Sequence, residues 1–312
     1  MHVDHGHLDV LARHCRDQEQ RRAAALWPPR ISRFYASLID RDDPDDPLLR
    51  QVLPDGRECH VVPGYDDDPL AEQACRQDPG LLSKYPGRVL VLCDGPCAVR
   101  CRFCFRRHLR GRAVSGGSGW LKSVRQALIA YPDCHEVVLS GGDPLGMAQD
   151  RVRCLLAACD ALPQIKRIRL HTRYPVAEPS CISADLTASL AAMRAMVVMV
   201  LHINHPREVS PELMRVAARL RQAGVHLYAQ SVLLRGVNDQ LETLLRLGEA
   251  LADAGIVAYY LHQLDRVAGA AHFAVDDARA RRLHAAWRAS ASGYLVPRLV
   301  REVAGRPCKT PL

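Results

Sequence analysis

The sequence lacks any run of about eighteen consecutive apolar residues, and its opening stretch, MHVDHGHLDVLARHC, lacks the apolar core of a secretory signal. We therefore expect a cytoplasmic protein with no membrane partner. Aromatic residues make up only 5% of the chain, and the basic residues are scattered with no long basic tail. The net charge of +8 is thus better explained by an arginine-rich solvated surface than by a nucleic-acid partner.

Metal-binding spacings of the structural zinc type are also missing. Neither a second CxxC pair nor an HxxxH motif accompanies the twelve cysteines. Because disulfides are rare in a reducing cytosol, these cysteines are expected to be free thiols and ligands. The remaining composition, 48% hydrophobic and 24% charged over 312 residues, is that of a globular protein with one large core or two modest ones.

Three cysteines stand close together in one short stretch. Cys97, Cys101 and Cys104 are spaced four and then three residues apart. Thiols at this spacing can hold three corners of a [4Fe-4S] cluster and leave one iron open to the amino and carboxylate groups of a small molecule. Cys93 precedes Cys97 by four residues, so a register of Cys93, Cys97 and Cys101 remains open, as does a zinc site.

The chain changes character near residue 80. Residues 1–80 are predicted to form an N-terminal helical region without a clear strand, in which His2, His5, His7 and His14 belong to a polar helical terminus. Residues 81–312 show short apolar runs that alternate with helical patterns. Strands are predicted near 88–93, 136–140, 167–172, 197–203, 225–233 and 256–262, and helices near 119–131, 147–162, 183–195, 210–223 and 240–254.

This alternation is typical of α/β proteins with a parallel sheet and outer helices. Six such units predict a partial (β/α)6 barrel with an N-terminal helical extension, whose chemistry lies at the carboxyl ends of the strands. A flat doubly wound sheet is the alternative.

Polar residues follow several of the predicted strands. Ser140, Gly141, Gly142 and Asp143 end one strand, where glycines let the backbone approach a ligand and an acceptor can bind an ammonium group. Strand-Gly-Gly turns are common, so this motif alone is weak. Later strands end in His171, Thr172, Arg173, Tyr174, His202, Asn204, His205, Gln230 and Ser231. Their shared placement favours the lining of a site over isolated structural polar groups.

These residues converge on a family. The CxxxCxxC spacing resembles the signature of radical S-adenosylmethionine (SAM) enzymes, and SGGDP resembles the strand that holds the SAM amino group. Longer segments that resemble those of one family occur in order along most of the chain: DDPLLRQVLP, PGLLSKYPGRVL, CAVRCRFCFRRH, HINHPREVS, QSVLLRGVND, YYLHQLDRVAGAAHF, SGYLVPRLVRE and CKTPL. The sequence resembles lysine 2,3-aminomutases, and within them the short form that makes β-lysine for modification of bacterial elongation factor P.

The resemblance implies an isomerase that converts L-α-lysine to (R)-β-lysine with three cofactors: a [4Fe-4S] cluster, SAM and pyridoxal 5'-phosphate (PLP). It implies that Lys309 forms the Schiff base with PLP, with Lys84, Arg88 and Arg173 as candidates for the environment of its phosphate. His202, Asn204 and Gln230 are expected to bind cofactors together with the SGGD residues.

The resemblance also implies which residues contact the substrate. Arg106 matches the family position that binds the substrate carboxylate, and Asp265 and Glu302 match positions of acids that bind the ε-ammonium of lysine. Elongation factor P and its lysyl-ligase are implied as indirect partners.

One departure concerns assembly. Longer lysine aminomutases continue past this segment with zinc-binding cysteines, whereas this sequence stops at Leu312. We therefore expect no zinc, and a homo-oligomer remains open. Two alternatives also remain: an aminomutase of the same chemistry acting on another amino acid such as glutamate, and a non-catalytic iron-sulfur protein that binds RNA.

Overall fold

A single mixed sheet forms the body of the protein. The structure, a computed structural model, describes residues 17–78, 80–108 and 119–312, so that His2, His5, His7 and His14 lie outside the described residues. Ten strands follow one another across the sheet in chain order. They are β1 (Arg76–Asp78), β2 (Leu81–Tyr85), β3 (Arg88–Cys93), β4 (Glu136–Gly141), β5 (Arg167–Thr172), β6 (Met196–His202), β7 (His226–Leu233), β8 (Val257–Gln263), β9 (Arg298–Arg301) and β10 (Thr310–Pro311).

Every neighbouring pair from β3 to β9 is parallel, whereas β1 and β2 at one edge and β10 at the other pair antiparallel. Helices connect the parallel strands. The helices are α1 (Gln18–Leu26), α2 (Arg33–Ser37), α3 (Pro47–Arg50), α4 (Trp120–Ile129), α5 (Gln149–Asp160), α6 (Tyr174–Ala177), α7 (Ala184–Ala191), α8 (Pro211–Gln222), α9 (Leu241–Asp253) and α10 (Asp277–Ser290). In the described part of the chain, no helix is long and apolar enough to cross a membrane.

The core lies between the sheet and the helices. Strand β7 alternates strictly between buried and less buried positions, as expected when one face packs on helices and the other lines a cavity. Helix α8 begins at a capping serine, Ser210, whose hydroxyl accepts a hydrogen bond from Leu213 N at 3.1 Å. Its buried residues Val216 and Leu220 join the same apolar cluster as Leu227 of β7. The sequence pattern thus fixes which strand face turns toward the helices.

The sheet curves until its two sides approach each other. Lys84 of β2 donates to Glu302, the residue after β9, with Nζ 2.7 Å from Oε1. Side chains from β2 through β8 and from the segment after β9 line one cavity. The fold is therefore a partial barrel, as predicted, but it contains seven parallel strands because β9 extends the six that the sequence predicts.

The N-terminal region has its own apolar cluster, which includes Tyr35, Leu48 and Leu49 and also takes in Val99 and Ala177 from the sheet region. The prediction that no strand precedes residue 80 is wrong for β1, which pairs with β2. A three-residue strand is too short to show a periodic pattern. The division at residue 80 stays a prediction.

Candidate active site

The cavity of about 330 Å³ is lined by the carboxyl ends of the parallel strands, where barrel enzymes carry their sites, and extends inside the sheet as far as Arg88 at the start of β3. Most of the residues predicted for the site line it. They are Lys84, Arg88, Cys97, Cys101, Cys104, Arg106, Ser140, Gly141, Gly142, Asp143, Arg173, His202, Gln230, Asp265, Glu302 and Lys309.

The three predicted cluster ligands stand on the loop after β3. Cys97, Cys101 and Cys104 are partly buried and all line the cavity. Within the described residues, no three His, Cys, Asp or Glu side chains gather as the ligands of a metal ion would. A cubane takes each thiolate at a different iron, so three thiols that line one cavity could hold three of its irons.

Cys93 is placed differently. Its thiol belongs to the apolar core and lies 3.7 Å from the carbonyl oxygen of Val91 in the same strand. Burial raises the pKa of this thiol well above its usual value, which opposes the thiolate that a metal needs. The geometry therefore gives no support to the register that begins at Cys93.

Glycines let the cysteine loop pack against the turn after β4. Asp143 N donates to Gly95 O at 3.0 Å, and Gly142 N donates to Cys93 O at 2.9 Å. A Cβ on Gly142 would lie 2.1 Å from Gly95 O, and one on Gly95 would lie 2.0 Å from Asp143 O. Gly141 has φ of +110°, which favours glycine. These glycines hold two loops at backbone contact; their role toward SAM stays a prediction.

Asp143 ties strands β4 and β5 together. Its carboxylate accepts from Leu145 N at 3.1 Å, Thr172 Oγ1 at 2.6 Å and Arg173 N at 2.7 Å. Burial raises its pKa to about 6, although these hydrogen bonds act in the opposite direction. Asp143 therefore has a structural role that the sequence did not indicate.

Arg173 is held at the cysteine loop. Its Nη1 lies 2.7 Å from Cys101 Sγ, and its Nη2 donates to Glu208 Oε1 at 2.5 Å, to Gln51 Oε1 at 2.6 Å and to Tyr35 OH at 2.9 Å. The arginine side chain is 7% exposed and Glu208 is 0% exposed. Because the guanidinium is committed to these partners, the geometry does not favour Arg173 as a residue of the PLP phosphate environment.

Asn204 and His202 leave β6 in different directions. Asn204 Oδ1 accepts from Val232 N at 2.8 Å, and its Nδ2 donates to Gln51 Oε1 at 2.9 Å, so this buried amide joins two strand ends and is not among the described cavity-lining residues. Its expected role toward a cofactor stays a prediction. His202 does face the cavity, paired with Gln230, and burial lowers its pKa to about 4.

Arg106 is engaged by a residue that the sequence analysis missed. Its Nε and Nη2 each lie 2.7 Å from an oxygen of Glu72, and its Nη1 donates to Ser140 Oγ at 2.8 Å. Glu72 lies in the 3-10 helix Glu72–Cys75 just before β1. A lone glutamate in an irregular segment gave no signal for this pairing.

Lys309 lines the same cavity because the C-terminal segment returns to the sheet. Thr310 and Pro311 of β10 pair with Arg301 and Val300 of β9. Lys309 Nζ contacts Glu302 Oε2 and lies 5.6 Å from the centroid of the Tyr260 ring. The tail therefore docks as a strand, the condition on which a role for Lys309 depends.

Glu302 bridges two lysines. Its Oε1 accepts from Lys84 Nζ at 2.7 Å and from Tyr85 OH at 3.3 Å, while Oε2 faces Lys309. Burial alone would raise its pKa, but the charges of Lys309 and Lys84 prevail and lower it to about 2. Glu302 is thus ionised throughout the physiological range.

The pKa of Asp265 shifts in the opposite direction from that of Glu302. Burial, followed by repulsion from Glu302, raises its pKa to about 7. A buried carboxylate without a cation is costly, so Asp265, beside a Glu302 that two lysines already neutralise, favours a cationic guest.

The surroundings of Lys309 suit an aromatic phosphate ester. Tyr259, Tyr260 and His262 line the same cavity, and the two tyrosine rings have centroids 3.8 Å apart. Arg88 also lines the cavity, with its guanidinium 4.8 Å from the centroid of the Tyr85 ring. Cations for a phosphate, flat rings for stacking and a lysine amine therefore occur together, so the residues present fit PLP.

His171 also points to a ligand. It lines the cavity, and its Nε2 is buried with no hydrogen-bond partner in the described structure. Burial lowers its pKa well below the usual value, which keeps the ring neutral. Buried polar atoms without partners are rare in native proteins and are a feature of ligand sites.

Several proteins called L-lysine 2,3-aminomutase are similar to this chain, among them three from bacteria. The protein from Escherichia coli K12 is 44% identical over 94% of this chain and 85% of its own length. Those from Haemophilus influenzae and Buchnera aphidicola are 39% and 37% identical, over 94% and 91% of this chain and 87% and 84% of theirs. The chain belongs to the lysine 2,3-aminomutase family. Membership of this radical SAM family implies a [4Fe-4S] cluster and SAM.

Two other comparisons add nothing to that assignment. No family model matches the sequence. A radical SAM methyltransferase from Sphaerobacter thermophilus, at 20% identity, superposes with a TM-score of 0.49 over 71% of this chain and 68% of its own. A similarity of that size carries no argument about the chemistry.

Proposed function

We propose that this chain is an L-lysine 2,3-aminomutase that moves the amino group of L-lysine from C2 to C3 and forms (R)-β-lysine. The observation that carries the proposal is the composition of one cavity, which is lined by three thiols of a single loop and also by Lys309, Glu302 and Asp265. The similar relatives carry the same activity in their names.

Two bound groups would supply the reactive chemistry. When bound, the cluster would supply one electron to cleave a carbon–sulfur bond of SAM into methionine and a carbon radical, and PLP would activate the substrate amino group for migration. Cys97, Cys101 and Cys104 would hold the cluster, and Lys309 would hold PLP, with Lys84 and Arg88 near its phosphate. The protein contributes position and the exclusion of water from a reactive radical.

The charges along the cavity match those of lysine. Arg106 would bind the α-carboxylate, because a guanidinium presents paired donors to a carboxylate. Asp265 and Glu302 would bind the ε-ammonium, and the carboxylate of Glu302 already has Lys309 and Lys84 as cationic partners. A dicarboxylic amino acid would place its second carboxylate against these acids, so lysine is favoured over glutamate.

We further propose that the product serves the modification of elongation factor P through its lysyl-ligase. This step rests on the resemblance to the short-form enzymes.

One anaerobic assay tests the activity. The reconstituted protein is incubated with dithionite, SAM, PLP and L-lysine, and the products are separated by chiral chromatography. We expect (R)-β-lysine. Turnover of glutamate in place of lysine would assign the protein to another substrate, and a cluster-containing protein that turns over no amino acid but binds RNA in a salt-sensitive way would refute the enzyme assignment.

A further inference from the structure

Three of the five N–H donors of the Arg106 guanidinium have hydrogen-bond partners among the described residues. Glu72 accepts from Nε and from Nη2, each at 2.7 Å, and Ser140 accepts from Nη1 at 2.8 Å. A guanidinium has one N–H on Nε and two on each Nη, so within the part of the chain that the structure describes these three bonds leave one donor on Nη1 and one on Nη2. With Ser140 on the Nη1 hydrogen that lies on the Cδ side, those two donors form the end-on pair, which can hold both oxygens of a carboxylate.

Glu72 is built into this position. It is 4% exposed, and its backbone N–H donates to Asp68 Oδ1 at 2.9 Å. Ala71, just before it, has φ of +48°, the only positive φ among the non-glycine residues that the structure describes. Such a conformation costs free energy and persists where the surroundings impose it. The segment before β1 is therefore held in an unfavourable backbone conformation beside a carboxylate that faces the cavity.

We propose that Glu72 is a positioning residue for substrate recognition. It holds the Arg106 guanidinium by one side so that the end-on donor pair faces the cavity and accepts a single carboxylate. This inference rests on the proposed function, in which Arg106 binds the α-carboxylate of lysine.

The pairing of Glu72 with Arg106 also sets the net charge at the place where the substrate carboxylate would bind. Glu72 balances the charge of Arg106, so the arginine offers directed hydrogen bonds without a large positive field. A monocarboxylate with an adjacent cationic group suits this arrangement, while a second carboxylate nearby would be repelled by Glu72.

The test compares Glu72→Gln with the wild type. Glutamine preserves the size but cannot accept from both Nε and Nη2 with two carboxylate oxygens, so the guanidinium loses its fixed orientation. We expect the KM for lysine and the Kd of lysine for the PLP-loaded protein without SAM to rise about tenfold, with kcat within about twofold. Gln73→Ala, an exposed neighbour in the same 3-10 helix, is the matched control and should change neither constant.

A fall in KM and Kd, in place of the expected rise, would overturn the proposal. If Glu72 only blocked Arg106 from the substrate, Glu72→Gln would lower KM and Kd. Glu72→Asp keeps both carboxylate oxygens and the charge but shortens the side chain by one methylene, and it should raise KM by a smaller factor, so the proposal stays open to refutation even if Glu72→Gln fails to fold. A wild type that does not convert lysine refutes the proposed function, whereas a wild type that does, with unchanged constants in both variants, refutes this inference alone.

Discussion

Lys84 and Glu302 form an ion pair across the two sides of the curved sheet, with Nζ and Oε1 2.7 Å apart. Lys84 lies on β2 and Glu302 just after β9, so this contact joins sides that share no backbone pairing. Both side chains are mostly buried, at 13% and 14% exposed. The barrel is thus completed by a charged contact at the place where Lys309 enters.

Lys309→Ala should abolish turnover and leave the iron-sulfur cluster intact, because the lysine lies on the C-terminal segment and the thiols on the loop after β3. We expect loss of the visible absorbance of lysine-bound PLP with unchanged iron and sulfide content. Lys122→Ala, on the exposed side of α4, is the control and should behave as the wild type. If Lys309→Ala retained turnover, Lys309 would not be the residue that forms the Schiff base with PLP.

Lysine binding should depend on pH through Asp265. Its pKa is raised to about 7, so the carboxyl is neutral below that pH and ionised above it. Only the ionised form attracts an ammonium group, and the KM for lysine should therefore fall as the pH rises through 7. Glu302, with a pKa lowered to about 2, does not titrate in this range.

Asp265→Asn supplies the control for that pH dependence. We expect a higher KM that no longer changes between about pH 6 and pH 8, while cleavage of SAM continues. A pH dependence that survives in Asp265→Asn would assign the titration to another group.

Gly142→Ala should reduce cluster occupancy. The added Cβ would lie 2.1 Å from Gly95 O, so the cysteine loop must move away from the turn after β4. We expect lower iron and sulfide content after reconstitution. Gly293→Ala is the control, because nothing lies within 4 Å of the Cβ position there. Full cluster content in Gly142→Ala would show that this packing does not position the thiols.

Arg173→Ala should destabilise the protein even without its cofactors. The substitution leaves the fully buried carboxylate of Glu208 without its cationic partner, at a cost of roughly 3–5 kcal/mol. Urea unfolding of the apoprotein measures this loss. The Arg173→Ala/Glu208→Ala double variant should lose less than the sum of the single losses, since the second change removes the unpaired charge. Additive losses would contradict a direct coupling.

Much of the barrel could be predicted from the sequence, because its parallel strands are apolar runs between amphipathic helices. Strand β9, however, has only four residues, and α10 buries only Ala280 and Trp287, so neither produced a clear periodic pattern. Most of the residues that the family resemblance proposed for the site, because they match its motifs, do line the cavity.

Long-range pairing was not predictable. Glu72 and Arg106 are 34 residues apart, and Arg173 reaches Tyr35 across 138 residues. No local pattern in the sequence indicates that an arginine after β5 will hydrogen-bond a tyrosine from the N-terminal region, or that Asn204 will hydrogen-bond Gln51. Their partners are set by packing between elements that only the fold brings together.

A bulge in β8 places two consecutive tyrosines at the cavity. Ala229 pairs with Ala258, but the next residue, Gln230, pairs with Tyr260, so Tyr259 is an additional residue in the strand. Both tyrosines line the cavity. Because the pairing on either side of Tyr259 follows the alternation of β7, a strand without Tyr259 would keep Tyr260 and His262 toward the cavity and lose only one aromatic ring. A redesign of substrate preference can therefore widen the cavity by deleting Tyr259, without exchanging the inner and outer surfaces of the strand.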